Sequence, residues 1–211
     1  WKQIFRGFLI MVRYSYKKED FKKEELNRRS TMKYMMIFTL TLMTSVFAQF
    51  INPETGWSYE QATQQSFYML QELLIDGQIS EGDGTAPPDA LSGDCYNNAG
   101  TCDVIGAFID RSGMEVCVGW TYAKDNYSTV PLMGNDQNSD YLSSGEAAYL
   151  KVYDATYGSV LDISPNSELP GFALNQIQLI SGSSSANNIF GCTDASACNY
   201  DSDATANDGS C

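Results

Sequence analysis

The sequence predicts an all-β fold class: an antiparallel β-sandwich followed by a small Cys- and Asp-rich unit of the calcium-loop type. Past Gln49, short apolar or alternating runs are separated by Gly, Asn, Asp, Ser and Pro, which is typical of strands joined by turns. Residues 191–211 contain three of the six cysteines and a dense series of Asp and Asn residues. At 211 residues, the chain is long enough to bury a hydrophobic core.

Composition excludes several functions. The chain contains no His, which excludes a Ser–His–Asp triad, a Cys–His pair and a His-ligated zinc, copper or iron site. It has 13 basic residues against 26 acidic ones, a net charge of −13, so we expect no nucleic-acid partner and no anionic lipid surface. We expect no enzymatic activity, and a glycosidase-type carboxylate pair is the one catalytic alternative left open.

The basic residues are concentrated at the start of the chain. Residues 49–211 hold only three basic residues against 22 acidic ones, a net charge of −19. A short basic start at Met32-Lys33, the 13-residue run 35–47 and the small residue Ala48 predict a secretory signal peptide over residues 32–48. The run is shorter than the roughly 20 residues that span a bilayer, so we expect a secreted or cell-surface protein without a membrane span after cleavage. An uncleaved anchor is the alternative.

Residues 1–31 precede this signal peptide and begin with Trp1 rather than Met. Arg28-Arg29 can be encoded AGG AGG, a ribosome-binding sequence, two codons before Met32. We therefore expect residues 1–31 to be an untranslated leader, with a disordered basic extension as the alternative.

The first element of the exported part is ambiguous. Ser58-Tyr59-Glu60-Gln61 has the form of a capping box, and the apolar residues after it can form one helical face. Against a helix, residues 67–70 are rich in aromatic side chains and the segment ends at the turn Asp76-Gly77. The local pattern slightly favours a helix over residues 59–75, whereas the surrounding strands and the resemblance described below favour a strand.

The later elements of the sandwich module, residues 49–181, have clearer patterns. Residues 104–109 and 114–120 predict a hairpin closed by a type I turn at residues 110–113, with Gly at the position of positive φ. Further strands are predicted at residues 147–153, 159–163 and 176–180. Residues 182–190 have the composition of a linker, and residues 191–211, the C-terminal segment, follow.

The hairpin restricts the disulfide pairing of the sandwich module. If partner numbers sum to about 223, Cys117 faces Gly106, and Cys102 lies about 13 Å from Cys117, beyond the roughly 7 Å allowed between Cα atoms. Cys95–Cys102 is therefore the favoured pair, and Cys117 has the alternative of remaining a buried thiol.

Three cysteines in the C-terminal segment leave one odd thiol among Cys192, Cys198 and Cys211. A partner residue beyond position 211 is one explanation, and we accordingly expect further domains or repeats there.

The C-terminal segment also predicts a structural Ca²⁺ site. Asn199, Asp201 and Asp203 place oxygen ligands at the i, i+2 and i+4 spacing of a tight calcium loop, and Asp194 and Asp208 complete the set. The loop is not an EF-hand, because its twelfth position lacks a bidentate Glu. A polar, disulfide-held unit without metal is the alternative.

Two further groups of residues are candidate sites. Asp136 and Asp140 lie in a polar loop that could hold a second cation, although such loops are more often solvated turns. Trp57, Trp120 and Tyr122 could form an aromatic platform for a sugar, although sheet aromatics are more often part of the core.

The C-terminal segment resembles a repeat of secreted proteins from marine bacteria. The resemblance rests on Gly191-Cys192-Thr193-Asp194, Ala197-Cys198-Asn199-Tyr200 and Asp208-Gly209-Ser210-Cys211, with Asn207 in place of the usual Asp. In that family the repeat looks thrombospondin-type-3-like, which implies a surface or extracellular stalk rather than an activity.

Residues 55–181 resemble a module found in such proteins. The resemblance implies a β-sandwich accessory module and provides no catalytic residues. Its marks are residues 103–108, 117–120, 130–136, 142–146 and 169–172.

Together these features predict a secreted, non-catalytic module for adhesion or for binding a glycan or protein surface, with a Ca²⁺-stabilised stalk. The alternatives are an accessory domain of a larger secreted hydrolase that continues past residue 211 and a subunit of an extracellular filament.

Overall fold

Residues 49–211 are described by a computed structural model, and the predicted leader and signal peptide lie outside them. The described residues are almost entirely strands and loops, with a short 3₁₀ helix (Asp89–Ser92) and one short α-helix, α1 (Asp94–Asn97). The strands are β1 (Gln49–Ile51), β2 (Ser58–Glu60), β3 (Gln65–Ile75), β4 (Gln78–Ile79), β5 (Val104–Arg111), β6 (Met114–Tyr122), β7 (Ser128–Met133), β8 (Tyr149–Asp154), β9 (Ser159–Asp162), β10 (Ile177–Ala186), β11 (Phe190–Gly191) and β12 (Ala206–Asn207).

The first large sheet is antiparallel, with the strand order β6-β5-β8-β9. Residues 104–109 of β5 are all buried, as their continuous apolar run requires of a strand that has neighbours on both edges. β8 and β9 alternate between buried and more exposed residues, which matches the two-residue period of a half-buried strand.

The β5–β6 hairpin has a tighter turn than the sequence predicts. Arg111 pairs with Met114, and both central residues, Ser112 and Gly113, have positive φ (58° and 81°), so the turn is of type I′ rather than type I. Cys117 pairs with Phe108 rather than Gly106, so the predicted register is wrong by two residues. A two-residue turn with positive φ at both positions matches the right-handed twist of the strands, which explains the preference.

The second large sheet places β3 at its centre, between β10 and β7, with β4 paired to its end. Residues 65–75 form a strand, and the helix that the local pattern favours is wrong. Ser66, Tyr68 and Leu70 are buried at a period of two residues, whereas the helical alternative needs a period of 3.6. The sheet is mixed, because β10 runs parallel to β3, so the predicted antiparallel arrangement holds only in part.

The predicted linker at residues 182–190 is wrong for residues 182–186. These residues continue β10 past a bulge and pair with β3 from Glu72 to Ile75. Backbone hydrogen bonds stabilise this strand, and its Ser- and Gly-rich composition does not reveal them.

Asn188 joins the C-terminal segment to the sandwich. Its backbone and side-chain N–H groups donate to both carboxylate oxygens of Asp76 (2.7 and 2.8 Å), and its Nδ2 also donates to Asp154 (2.7 Å). Its Oδ1 accepts hydrogen bonds from Ser159 (2.6 Å) and from Thr205 of the C-terminal segment (3.1 Å). This buried amide therefore uses its donors and its acceptor to hold two sheets and the C-terminal segment together.

One hydrophobic core lies between the two large sheets. It contains Tyr68 and Leu70 from one sheet and Ile105, Trp120 and Leu150 from the other, none more than 2% exposed. Burial of each such side chain contributes about 1.5–3 kcal/mol, so this shared core is the main stabilising feature of the sandwich. Within residues 49–211, no helix has the length and apolar character needed to cross a bilayer.

Candidate functional site

The predicted aromatic platform is not formed. Trp120 and Tyr122 are fully buried, and their polar atoms bond to the carbonyl oxygen of Phe50 (2.9 Å) and to the carboxylate of Glu54. Both lie on the part of β6 that is buried without interruption, so the sequence gives no alternation from which to separate core from surface. Trp57 alone of the three predicted residues reaches solvent.

Trp57 lines a cavity of about 420 Å³, which we call the Trp57 cavity. This volume lies within the range of about 300–1,000 Å³ that is typical of small-molecule sites. The cavity lies where β2, the outer half of β6 and the loop at residues 138–141 meet. Its lining combines aromatic rings with carboxylate, amide and hydroxyl groups: Gln49, Gly56, Trp57, Ser58, Tyr59, Glu60, Phe108, Glu115, Val116, Cys117, Asn138 and Tyr141.

A glycine in β5 makes room for the aromatic wall. A Cβ atom on Gly106 would lie 2.7 Å from Cε3 of Trp57 and 2.6 Å from Cε2 of Phe108, closer than real Cβ atoms approach. The two rings meet edge to face, with centroids 5.0 Å apart. Gly106 therefore allows the Trp57 ring to lie over the sheet beside Phe108.

Two polar groups among the residues that line the cavity are neutral. The Tyr59 hydroxyl is buried without a hydrogen-bond partner. Burial raises the pKa of Tyr59 far above its usual range, and it raises the pKa of the Cys117 thiol to about 12. Both groups are therefore protonated at ordinary pH, and Cys117 lacks the thiolate character of a reactive cysteine.

A cation already lies beside the carboxylate of Glu115. Lys151 approaches Glu115 to 2.5 Å and lies 5.8 Å from the centroid of Phe108 and 5.9 Å from that of Tyr149. Burial raises the pKa of Glu115, but hydrogen bonds from Lys151 and Tyr149 outweigh that effect, so the pKa lies below its usual value. The negative charge of Glu115 is thus balanced within the chain.

A second cavity, of about 670 Å³, is lined by acidic residues, and we call it the acidic cavity. Asp103 accepts the backbone N–H groups of Glu81 (2.8 Å) and Ala155 (3.0 Å), and burial is the main cause that raises its pKa. Asp76 and Asp154 bond to Asn188, as described above. These three carboxylates therefore stabilise the fold by accepting hydrogen bonds from other parts of the chain.

The five residues of the predicted calcium site are spread over three turns and Asn199. Three of their carboxylates each accept the backbone N–H of the residue two positions later, and Asn199 donates to the carbonyl oxygen of Ser210 (2.7 Å). Within residues 49–211, no group of three or more Cys, Asp or Glu side chains is close enough to share a metal ion. The donor set as placed does not fit one Ca²⁺ ion, and the calcium site stays a prediction. The three turns are Asp194 with Ser196, Asp201 with Asp203, and Asp208 with Ser210.

Asp136 and Asp140, the two residues of the other predicted cation loop, make different contacts. Asp136 accepts hydrogen bonds from Thr63, Gln64 and Gln137; although burial raises its pKa, these bonds outweigh it and lower the pKa to about 2. Asp140 contributes its backbone carbonyl, which accepts from Nε of Arg111 (3.0 Å). Asp136 thus fastens this loop to the start of β3, and a cation there stays a prediction.

The disulfides of the described residues are Cys95–Cys102 and Cys192–Cys211, with Cα atoms 5.6 and 4.9 Å apart. The first is the pair favoured by the sequence. Cys198 is the odd thiol of the C-terminal segment, and it is exposed. Cys117 is half-buried, and both of these cysteines are free. The Cys192–Cys211 pair thus leaves Cys198 as the one odd thiol, and its disulfide with a residue beyond position 211 stays a prediction.

Comparison with known protein families, characterised proteins and solved structures gives no match. The candidate site therefore depends on its own geometry.

Sequence reasoning identified Trp57 but missed the rest of its cavity. Tyr59, Phe108 and Glu115 come from three strands, and Asn138 and Tyr141 come from a loop about 80 residues after β2. The backbone N–H of Glu60 donates to the Tyr141 hydroxyl (2.7 Å) and so joins that loop to β2, and no local pattern predicts so distant a contact.

Proposed function

We propose that this chain is a secreted or cell-surface, non-catalytic module that binds a glycan or protein surface through the Trp57 cavity. The observation that carries the proposal is the cavity itself, in which an accessible indole lies beside carboxylate, amide and hydroxyl groups. Aromatic anchors surrounded by a few placed polar groups are typical of recognition sites.

The protonation states around the cavity support binding rather than catalysis. The thiol of Cys117 and the hydroxyl of Tyr59 are both held protonated, so neither is an activated nucleophile. Glu115 is paired with Lys151 and has a lowered pKa, which is the opposite of the raised pKa that a general acid needs.

The attachment of the C-terminal segment supports a role in display. Asn188 ties this segment to the sandwich through its bonds to Asp76, Asp154 and Thr205, and residues 49–211 belong to one compact unit. Disulfides in both parts are those of an oxidising environment. No step of the proposal depends on Ca²⁺.

Binding to coated surfaces tests this proposal. The full chain and its Trp57→Ala variant are passed over polysaccharide-coated and protein-coated sensors, and we expect at least one surface to retain the wild type at least tenfold more tightly. Tyr157→Ala is the matched control, because it removes an aromatic side chain that is 49% exposed and lines the other cavity. Equal retention of wild type and Trp57→Ala on every surface would contradict the proposal.

A self-assembling filament subunit is the second candidate, favoured by the outer face of the second sheet. Ile177 and Leu179 of β10 are 63% and 54% exposed, and they lie beside Phe67 and Met69 of β3 in the parallel register. Contiguous exposed apolar side chains mark interaction surfaces. Light scattering with and without Ca²⁺ tests this candidate: concentration-dependent growth that Leu179→Lys abolishes supports it, and a constant monomer contradicts it.

A further inference from the structure

The Tyr59 hydroxyl is the least satisfied polar group of the Trp57 cavity. The residue is 1% exposed, and its oxygen has no hydrogen-bond partner in the protein. An unpaired buried hydroxyl costs about 1–3 kcal/mol, so an ordinary core position would favour Phe. Tyr59 lines the cavity together with Cys117 and Tyr141. The oxygen itself has almost no exposed surface, so a ligand hydroxyl would satisfy it once the side chains that cover it move apart.

The rim of the cavity offers further hydrogen-bonding groups of both kinds. The carboxylate of Glu60 accepts hydrogen bonds, and the amides of Gln49 and Asn138 donate and accept them. A ligand with several hydroxyl groups, each both donor and acceptor, matches this mixed set better than a ligand with a single polar group.

The charge balance of the cavity favours an uncharged ligand. Lys151 neutralises Glu115 and lies over the rings of Phe108 and Tyr149, so the cation site on those rings is filled by the chain itself. Glu60 and the net charge of −19 over residues 49–211 repel an anion. The neutral Tyr59 and Cys117 groups that line the cavity offer no charge partner to either kind of ion.

We infer that the Trp57 cavity binds a neutral saccharide, with one sugar ring against the Trp57 indole and one sugar hydroxyl bonded to the Tyr59 hydroxyl. This inference rests on the proposed function, because it names the ligand class of the same cavity. A pyranose ring combines an apolar C–H face, which packs on an aromatic ring, with the ring of hydroxyl groups that the rim and the Tyr59 hydroxyl require.

Saturation-transfer NMR on the full chain tests the inference. The probes are tetrasaccharides of β-linked glucose, mannose, xylose and N-acetylglucosamine, with a uronate tetrasaccharide and a tetralysine peptide as charged comparators of similar size. We expect at least one neutral probe to bind, more tightly than either charged comparator. We expect affinity to fall at least tenfold in Trp57→Ala and about two- to tenfold in Tyr59→Phe, the loss of one hydrogen bond.

Two variants keep the result interpretable. Tyr59→Phe retains the ring that packs edge to face on Phe50 and removes only the unpaired hydroxyl, so it is expected to fold as the wild type does. Tyr157→Ala is expected to leave binding unchanged.

Four results would overturn the inference: no neutral probe binding at about 10 mM, tighter binding of a charged comparator, full affinity in Trp57→Ala, or full affinity in Tyr59→Phe. If coated surfaces retain the chain through Trp57 while no neutral saccharide binds, the inference is wrong and the proposed function stands. If retention does not depend on Trp57, the proposed function itself fails.

Discussion

The acidic cavity and the Trp57 cavity are both lined by carboxylates and aromatic side chains, but they differ in whether their polar groups already have hydrogen-bond partners. In the acidic cavity, Asp103, Asp76 and Asp154 accept hydrogen bonds from backbone and side-chain groups of the chain. In the Trp57 cavity, the Tyr59 hydroxyl has no partner, and the indole of Trp57 is accessible. The comparison teaches that a cavity indicates a ligand when its polar groups are left unpaired, and that acidic composition alone does not.

The largest expected effect is a loss of stability when the hydrogen bonds of the acidic cavity are removed. Asn188→Ala removes the side-chain donor to Asp76 and to the buried Asp154 and the acceptor of Ser159 and Thr205, while the backbone N–H still donates to Asp76, so we expect a loss of about 3–5 kcal/mol in unfolding free energy. Chemical denaturation measures it. The exposed Asn166, whose side chain makes one hydrogen bond, is the matched control, and Asn166→Ala is expected to cost less than about 1 kcal/mol. Equal losses for the two variants would contradict a structural role for the acidic cavity.

The next effect falls on the Trp57 cavity. Gly106→Ala places a methyl group within 2.7 Å of the Trp57 ring and within 2.6 Å of Phe108. We expect a loss of about 1–3 kcal/mol in stability, because the rings must move, and we expect binding through Trp57 to be lost as well. In the double variant with Trp57→Ala, part of the stability loss should disappear, and strict additivity in denaturation experiments would show that Gly106 does not accommodate Trp57.

Residues 49–211 carry a net charge of −19, so the melting temperature is expected to depend on salt and on calcium. Raising the NaCl concentration from about 10 to 500 mM should raise the melting temperature by several degrees, because it screens repulsion among carboxylates. The calcium prediction further requires CaCl₂ to stabilise more than MgCl₂ at equal ionic strength. Equal melting temperatures in the two divalent salts, by calorimetry on the oxidised full chain, would contradict that prediction.

The pH dependence of loop attachment follows from Asp136. Its folded pKa of about 2 lies below the unfolded value of 3.8, so its contribution to stability is full above pH 3.8 and is lost as the pH falls through 2. Asp136→Asn should therefore destabilise the protein at pH 6 and have little effect at pH 2. Denaturation of both proteins at the two pH values measures this difference, and a loss that does not change with pH would contradict the assignment.

The smallest effect is on stability in Tyr59→Phe. Because the removed hydroxyl has no partner, we expect unfolding free energy to stay within about 1 kcal/mol of the wild type or to rise. A loss above about 2 kcal/mol would indicate that the hydroxyl is bonded within the protein, and it would remove the main argument for a sugar hydroxyl at that position.

The sequence predicted what depends on neighbouring residues and missed what depends on distant ones. The all-β class, the β5–β6 hairpin and the Cys95–Cys102 pair follow from local patterns, and the structure contains all three. The parallel pairing of β10 depends on β3, more than 100 residues earlier, and its Ser-rich composition hides it. For the same reason, Trp57 and Trp120 look alike in sequence although one lines a cavity and the other is core.

The central claim is that the Trp57 cavity is the binding site, and the indole N–H resonances of Trp57 and Trp120 test it most directly. Titration of the ¹⁵N-labelled chain with the best neutral tetrasaccharide should shift the Trp57 Nε1–H signal with saturation. The Trp120 signal should stay in place, because that N–H is buried and bonded to Phe50. A saturable shift that spares Trp57, or no shift at about 10 mM saccharide, would contradict the claim.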